Sequence, residues 1–368
     1  MSIRTNTLTI LLVLVIQTMF LAACGGHVGT QTPVNVPPGR FAYVANSFDN
    51  TVSIFAENVK DGQLTLKDNV LSGGISPVSM TASPSGQFLY VANFGSASLS
   101  VFNINRETGA LMAMSSPVAT GVHPRSVTVD PKGRFAYVIN SGSSNIAVFK
   151  ILTDGSLISA GPTVLAGVSP FSVTVDPTGT FAYVTNKGSG DISAFRINTD
   201  TGALTQEGNN VAADAGSVAI TITPSGKFAY VANFDSDNVS AFTVDGTTGK
   251  LTSISSPTPV GSNPSSIANT PSGQFVYVAN LGSSNISAFA IDTRTGTLRS
   301  IDAPVSAGLN PLSLTVDPSG QFLYVTNFGS NDISTFSIDG SSGKLAPLGS
   351  PVASGINPSS LVLTGQLN

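Results

Sequence analysis

The hexapeptide FAYVTN at residues 181–186 decides the fold, because close copies of it recur along the chain at a nearly constant interval. The copies are separated by 46 or 47 residues and begin at Phe41, Phe88, Phe135, Phe181, Phe228, Phe275 and Phe322. Each of the seven tyrosines of the chain lies in one copy, at Tyr43, Tyr90, Tyr137, Tyr183, Tyr230, Tyr277 and Tyr324. Self-similarity at a fixed period of about 20 to 50 residues is typical of repeat architectures.

Each repeat predicts four short β-strands. Residues 126–129 (SVTV) exemplify the first strand, and residues 130–133 (DPKG) form a turn of the type I kind before the FAYVxN strand. Residues 192–197 exemplify the third strand, and the fourth begins at a repeated leucine. Four strands in about 47 residues match one propeller blade, whereas helical repeats need a different apolar spacing. The sequence therefore predicts an all-β protein, a seven-bladed β-propeller of four-stranded antiparallel blades.

The two ends of the repeat region predict how the ring closes. Residues 32–39 contain Pro33, Pro37 and Pro38, so they are unsuited to form the first strand of the first blade. Residues 360–364 (SLVLT) match residues 313–317 (SLTVD) and give the last copy one strand too many. We expect this C-terminal strand to complete the blade that begins at Phe41, within a propeller domain of residues 37–368.

The N-terminal segment resembles a bacterial lipoprotein signal. Arg4 supplies a positive charge, residues 8–21 are apolar, and residues 21–24 (LAAC) are similar to a lipobox. This predicts a signal peptide of residues 1–23, lipidation of Cys24 and a tether of residues 24–36; a secretory peptide cut after Ala23 is the alternative. The protein would then be a cell-envelope lipoprotein facing the periplasm or the cell exterior, in contact with the membrane only through its lipid. By resemblance to sorting signals, Gly25 favours the outer membrane.

Composition excludes several classes of function. A net charge of −4 is of the wrong sign for a nucleic-acid partner. The single cysteine rules out an internal disulfide, and histidines are too few for a zinc site. Asp235 and Asp237, or Asp332, could take a weak Ca²⁺, but the pattern of a calcium loop is missing and we interpret this stretch as a solvated turn. We expect no metal and no cofactor.

The repeats themselves carry a family resemblance. FAYVTN at residue 181 and FLYVTN at residue 322 contain the tetrapeptide of the YVTN repeats. Residues 37–364 thus resemble the lactonase-like seven-bladed propellers, which include 6-phosphogluconolactonase. That resemblance implies the propeller fold and a possible lactonase activity, which relatives perform with His, Glu and Arg near the channel. Propellers usually act on the face formed by the loops that precede the first strands and those that join the second and third strands. Glu57, Glu107 and Glu207 fall outside these loops, so the cluster is not recovered here.

One pair of charged residues stands out in the loops that precede the first strands. These loops follow the pattern x-Pro-y-Ser, and only His123 and Arg125 depart from its neutral residues. In a hydrolase, His123 would act as the general base and Arg125 would polarise a lactone carbonyl.

The loops between the second and third strands predict a binding face. Each loop follows a repeated Asn, which we interpret as holding its own turn by a backbone hydrogen bond. Variable residues come next, and together with Phe171 on the neighbouring loop they form the predicted binding face, which consists of Phe48, Phe94, Phe171, Lys187, Phe234, Asp235 and Phe328. The aromatic rings could contact a ligand or could fill gaps between the blades.

These patterns support three hypotheses about function. The first is a non-catalytic binding or scaffold propeller for an extracytoplasmic protein, glycan or small molecule. The second is a lactonase-type hydrolase centred on His123 and Arg125. The third is a purely structural surface protein.

Overall fold

The computed structural model describes residues 40–364, and these residues form seven antiparallel sheets, one for each repeat. In six of the sheets the order of the main strands follows the chain, and the innermost strands of neighbouring sheets contact one another around a closed ring. The seven-bladed propeller predicted from the repeats is therefore confirmed. Within residues 40–364 no helix reaches the length and apolar character needed to cross a bilayer.

The strands are grouped by blade in chain order. Blade 1 contains β1 (Phe41–Asn46), β2 (Thr51–Glu57) and β3 (Leu64–Leu71). Blade 2 contains β4 (Pro77–Ala82), β5 (Phe88–Asn93), β6 (Ser98–Ile104), β7 (Leu111–Ala113) and β8 (Val118–Ala119). Blade 3 contains β9 (Pro124–Val129), β10 (Phe135–Asn140), β11 (Asn145–Ile151), β12 (Leu157–Ser159) and β13 (Val164–Leu165). Blade 4 contains β14 (Pro170–Val175), β15 (Phe181–Asn186), β16 (Asp191–Ile197), β17 (Leu204–Gln206) and β18 (Val211–Ala212).

The remaining strands continue the same series. Blade 5 contains β19 (Ser217–Ile222), β20 (Phe228–Asn233), β21 (Asn238–Val244), β22 (Leu251–Ser253) and β23 (Thr258–Pro259). Blade 6 contains β24 (Pro264–Asn269), β25 (Phe275–Asn280), β26 (Asn285–Ile291), β27 (Leu298–Ser300) and β28 (Val305–Ser306). Blade 7 contains β29 (Pro311–Val316), β30 (Phe322–Asn327), β31 (Asp332–Ile338), β32 (Leu345–Pro347) and β33 (Val352–Ala353), and the chain ends its described part with β34 (Pro358–Thr364).

The fourth strand of blades 2 to 7 is divided into two short pieces. In blade 2, for example, both β7 and β8 pair with β6. Five of the six interruptions contain a proline, at Pro117, Pro162, Pro257, Pro304 and Pro351. Proline cannot donate to the strand ladder, so it ends the pairing locally. Blade 1 has no proline at this place, and its fourth strand β3 runs unbroken from Leu64 to Leu71.

The C-terminal strand closes the ring as predicted. β34 pairs antiparallel with β1, with Tyr43 opposite Val362, so blade 1 has the order β3-β2-β1-β34. Every residue of β1 is buried, because β2 and β34 cover its edges while blades 2 and 7 pack on its two faces. The first blade is thus built from both ends of the described chain.

The repeated tyrosines join neighbouring blades. Each hydroxyl donates to the carbonyl of a turn glycine in the next blade, as Tyr43 does to Gly109 at 2.9 Å. Burial raises the pKa of each of these tyrosines well above its usual value. Gly109 has a positive φ of 77°, and a Cβ there would collide with the ring of Phe41. Tyrosine and glycine therefore recur together because each inter-blade contact needs both.

A charged cluster adds to this contact where blade 7 meets blade 1. The Arg40 guanidinium lies 2.7 Å from the Asp317 carboxylate and 3.0 Å from that of Glu57. Tyr324 donates a hydrogen bond to Glu57 at 3.1 Å. Burial raises the pKa of Glu57, although the Arg40 charge opposes this. Burial would also raise the pKa of Asp317, but hydrogen bonds led by the one from Arg40 outweigh it and the pKa is lowered.

The predicted boundaries of the signal peptide, the tether and the propeller domain are outside this description. Cys24 and residues 1–39 lie outside the described residues, as do residues 365–368. Those boundaries and the lipidation of Cys24 stay predictions.

Candidate functional site

The first strands surround a cavity on one face of the ring. We call this the upper face; it is formed by the loops that precede the first strands and by those that join the second and third strands. The cavity has a volume of about 450 Å³, within the range usual for small-molecule sites. Each blade contributes two consecutive first-strand residues, and three loop residues complete the lining, at Ser47, Leu281 and Phe328.

Serine hydroxyls form most of the polar lining. The second lining residue of each first strand is serine in every blade except blade 5, which has alanine: Ser79, Ser126, Ser172, Ala219, Ser266, Ser313 and Ser360. Four of these hydroxyls accept a backbone N–H from the first strand of the next blade, namely Ser79 from Val127 at 3.2 Å, Ser126 from Val173 at 3.3 Å, Ser266 from Leu314 at 3.2 Å and Ser360 from Met80 at 3.2 Å. Their O–H donors have no acceptor within residues 40–364, so they can donate to a bound molecule.

Arg125 is the only charged residue among those that line the described cavity. It is held in β9 between aromatic rings from the two flanking blades, with its guanidinium carbon 4.1 Å from the centre of the Phe171 ring and 5.7 Å from that of Phe94. Its Nε atom is buried, and in the described part of the chain its side chain has neither a hydrogen bond nor an ion pair. Burial lowers the pKa of Arg125, yet a guanidinium keeps its proton in proteins. The cavity therefore contains a positive charge that no protein anion neutralises.

His123 is close to Arg125 but is not part of the cavity lining. It is exposed, and its ring stacks on Phe94 with the ring centres 4.3 Å apart and the planes 9° from parallel. Its φ of 56° belongs to the left-handed region. All equivalent residues share that conformation, with φ between 50° and 74°: Ser76, Ser169, Gly216, Asn263, Asn310 and Asn357.

This comparison gives His123 a structural role. Asn263, Asn310 and Asn357 each donate from their amide to the carbonyl of the loop in the preceding blade, as Asn263 does to Phe234 at 3.1 Å. His123 makes the corresponding contact by stacking on Phe94, which occupies the same loop position in blade 2. Histidine is among the residues that tolerate a positive φ.

The structure brings together only part of the predicted binding face. Phe171 and Phe328 line the cavity, and Phe94 touches it through Arg125. Lys187 lies over the ring of Phe234, 4.3 Å from its centre, and neither residue lines the cavity.

Two predicted residues lie apart from this group. Phe48 is 70% exposed and follows Ser47, the residue that does line the cavity. Asp235 is exposed and packs against Gly216 instead of entering the cavity. Phe234 and Phe171 pack against one core cluster, as expected for rings that fill gaps between blades, and contact of the rings with a ligand stays a prediction.

The interpretation of the repeated asparagines was wrong in its detail. These residues end the second strands and are fully buried. Asn46 donates to side chains at the start of the third strand, to Thr51 at 3.0 Å and Ser53 at 2.8 Å, and the other blades have similar bonds. They fasten two strands together and do not bond to their own turn.

Sequence reasoning missed the serines of the cavity. The signal was present, because Ser ends the x-Pro-y-Ser pattern in six of the seven blades, but the site candidates were sought among residues that differ between the blades. Only the ring arrangement places these hydroxyls opposite one another around a cavity. Within residues 40–364, no three His, Cys, Asp or Glu side chains come together in a set that could hold a metal ion.

Comparisons with known proteins agree with this architecture. The sequence matches the family "Lactonase, 7-bladed beta-propeller" over residues 33–127, 114–220, 219–265 and 257–360. A comparison with curated proteins found no match.

Several solved structures have the same fold. A candidate 6-phosphogluconolactonase from Bacteroides uniformis is 22% identical, with a TM-score of 0.80 over 88% of this chain and 99% of that one. A candidate 6-phosphogluconolactonase from Bacteroides fragilis is also 22% identical, with a TM-score of 0.80 over 90% and 100% of the two chains. The periplasmic gluconolactonase of Pseudomonas aeruginosa is 21% identical, with a TM-score of 0.77 over 88% and 99%. Identities this low show the shared fold alone. Because the family match extends over nearly the whole propeller, the chain belongs to the lactonase family of seven-bladed β-propellers.

Proposed function

We propose that this protein is a lactonase-type hydrolase that opens a sugar lactone or a related lactone in the upper-face cavity. The observation that carries the proposal is the unpaired guanidinium of Arg125 in a cavity large enough for a small molecule. The family match supports it, and so does the likeness to proteins named as gluconolactonases. These findings favour a hydrolase over the scaffold that the sequence first suggested.

Arg125 has the chemistry that a lactone carbonyl requires. Attack by water on the carbonyl carbon forms a new C–O bond and places negative charge on the carbonyl oxygen. A fixed N–H donor at that oxygen stabilises the charge as it develops. Because Phe171 and Phe94 hold the guanidinium from two sides, its orientation is set before the substrate binds.

The remaining steps move one proton. When the tetrahedral intermediate collapses, the ring C–O bond breaks and the leaving alkoxide becomes the hydroxyl of an open-chain hydroxy acid. A base removes the proton of the attacking water, and that proton can return to the alkoxide. His123 is the nearest candidate in sequence, two residues before Arg125. Since it lies outside the cavity lining, it would act through a water molecule.

Turnover by variants tests this proposal. We expect the wild-type protein to hydrolyse at least one member of a lactone panel that includes glucono-1,5-lactone, measured as acid release in a pH-stat above the spontaneous rate. Arg125→Gln should lower kcat/KM by about a hundredfold or more, because an oxyanion donor is lost. His123→Ala should lower kcat, because the attacking water then loses the base that accepts its proton.

The control for these variants is Lys187→Gln. It also removes a cation stacked on a phenylalanine of the upper face, but one outside the cavity lining, so its activity should equal that of the wild type. A complete panel without turnover above the spontaneous rate would remove the lactonase proposal.

A non-catalytic binding protein is the second candidate. It is favoured by the cavity lining, which in the described residues contains no carboxylate and no histidine that could act directly as a base. Such a protein would capture a small molecule or glycan and release it unchanged. The same panel separates the candidates, since a binding protein would bind panel members without releasing acid.

We also propose that the protein is anchored to the cell envelope through Cys24, because residues 21–24 (LAAC) follow an apolar segment. Cells that express the full chain should incorporate labelled palmitate into it and retain it in the membrane fraction. Cys24→Ser should lose the label and move to the soluble extracytoplasmic fraction. A Cys24→Ser protein that is still labelled would contradict the lipid attachment.

A further inference from the structure

The upper-face cavity has an unbalanced charge. Arg125 is its one charged residue, and the other lining residues of the described chain are serines and apolar side chains. A partly buried charge without a partner is unfavourable, so a ligand that supplies the missing negative charge gains more than a neutral ligand does.

The position of the two rings defines how an anion can approach. Phe171 lies over the guanidinium of Arg125 at 4.1 Å, and Phe94 approaches it at 5.7 Å. Because Phe171 covers the guanidinium carbon and Nε is buried, the terminal N–H groups are the ones that a ligand can reach. A carboxylate binds at that edge through two parallel hydrogen bonds.

The rest of the lining indicates which groups the ligand carries besides its acidic group. The hydroxyls of Ser126 and Ser172, beside Arg125 and Phe171, can donate to hydroxyl or carbonyl oxygens. Phe328, Leu312 and Val218 supply apolar surface on other parts of the wall. A small polar molecule with a single acidic group therefore fits the cavity.

A phosphorylated ligand fits less well. A phosphate monoester carries close to two negative charges at neutral pH, and proteins usually bind it with several cationic groups. Lys187, the next cation on the upper face, lies on Phe234 outside the lining. Within the described residues, Arg125 is therefore the one cation of the lining that could neutralise the negative charges of such a ligand.

From these features we propose that the cavity selects an unphosphorylated monocarboxylate, and that it binds the open-chain hydroxy acid more tightly than the neutral lactone. The preference for the hydroxy acid over the lactone rests on the proposed function. Ring opening converts a neutral carbonyl acceptor into a carboxylate and releases a proton. The same Arg125 that polarises the lactone then forms a charge-assisted pair with the product, so the product inhibits the reaction.

Titration calorimetry tests the selectivity. The probes are gluconate, glucuronate and mandelate as monocarboxylates, sorbitol as a neutral polyol, and 6-phosphogluconate as the phosphorylated acid. We expect at least one monocarboxylate to bind about tenfold or more tightly than sorbitol, as a charge-assisted hydrogen bond provides. 6-Phosphogluconate should bind no more tightly than gluconate.

Variants assign the effect to Arg125. Arg125→Gln should remove the preference for the carboxylate over sorbitol. Arg125→Lys should keep part of it, because the charge remains while the two-pronged geometry is lost. Lys187→Gln is the matched control and should bind the carboxylate as the wild type does. Circular dichroism confirms that each variant is folded.

The outcomes separate this inference from the lactonase proposal. Carboxylate binding that depends on Arg125, without turnover of any lactone, supports the inference and removes the hydrolase. Lactone turnover without inhibition by the product acid leaves the hydrolase and overturns the inference. Tighter binding of 6-phosphogluconate than of gluconate, or binding of none of the three monocarboxylates, also overturns it.

Discussion

A chain shortened by deletion of residues 356–368 is expected to lose its cooperative unfolding transition. The deletion removes β34, so β1 loses the strand that pairs with it from Phe41 to Asn46. It also removes Leu361, which is buried in the core between blades 7 and 1. Thermal unfolding followed by circular dichroism would show a broad change with no sharp midpoint.

The expected size of this effect follows from the contacts of β34. The strand is bonded to both neighbouring blades. Ser359 donates to Pro77 of blade 2 at 2.9 Å, and the carbonyl of Leu361 accepts a hydrogen bond from Thr315 of blade 7 at 2.9 Å. The lost strand pairing and the lost burial of Leu361 together amount to on the order of 10 kcal/mol. That is comparable with the whole stability of a typical domain, about 5–15 kcal/mol.

A shorter deletion provides the control. Removal of residues 365–368 leaves all of β34 in place and should leave the sharp transition unchanged. If the protein without residues 356–368 melted as sharply and at the same temperature as the intact protein, the closure of the ring would not depend on β34.

Arg40→Met is expected to destabilise the protein by about 3–5 kcal/mol near neutral pH, because it leaves buried carboxylates without their counter-charge. Arg40 is 8% exposed, and the side chains of Glu57 and Asp317 are fully buried. Methionine retains much of the apolar volume, so the loss reports mainly on the charge. Urea unfolding followed by circular dichroism measures the change in the free energy of unfolding.

The repeat supplies a matched control for this variant. Arg134 occupies the same position before Phe135 that Arg40 occupies before Phe41. Its side chain is 40% exposed and lies 3.8 Å from Asp130. Asp130 is buried, but its carboxylate also accepts the backbone N–H groups of Arg134 and Phe135, and these bonds remain in the variant. Arg134→Met should therefore change the free energy of unfolding by less than about 1 kcal/mol. Equal losses in the free energy of unfolding of the two variants would show that the buried cluster stabilises the protein no more than the Arg134–Asp130 pair does.

The destabilisation by Arg40→Met should shrink as the pH falls. In the wild type the pKa of Asp317 is lowered, so its stabilising contribution is present above its unfolded-state pKa and is lost as the pH falls through the folded-state value. The pKa of Glu57 is raised, so Glu57 disfavours the folded state at high pH, and this cost disappears as the pH falls. Without Arg40 both carboxyl groups should hold protons more strongly in the folded state. On acidification the folded variant then takes up protons that the folded wild type does not. The stability of the variant therefore rises relative to that of the wild type.

Several features of the fold could be predicted from repetition alone. The spacing of the phenylalanines from Phe41 to Phe322 gave the number of blades, and the match of residues 360–364 to residues 313–317 located the closing strand. The division of the fourth strands could have been predicted as well, because prolines such as Pro117 mark it. These features depend on local patterns that each repeat contains in full.

The candidate site was predicted in part. His123 and Arg125 were noticed because they break a neutral column, and the structure places Arg125 in the cavity but His123 outside its lining. The two residues are two positions apart, a spacing that would put their side chains on one side of a continuous strand, but His123 precedes β9 and does not have a strand conformation. The left-handed φ of His123 turns its ring onto Phe94, and no pattern in the sequence indicates that contact.

The sequence by itself determined the all-β class, the seven blades and the closing strand, because a repeat of fixed length must bury the same apolar positions in every copy. Only the tertiary structure decided which side chains meet across blades. The guanidinium of Arg125 lies between rings of blades 2 and 4, and Arg40 reaches Asp317, 277 residues away in the chain. Such contacts depend on the angle and distance between sheets, which arise only when the whole ring has closed.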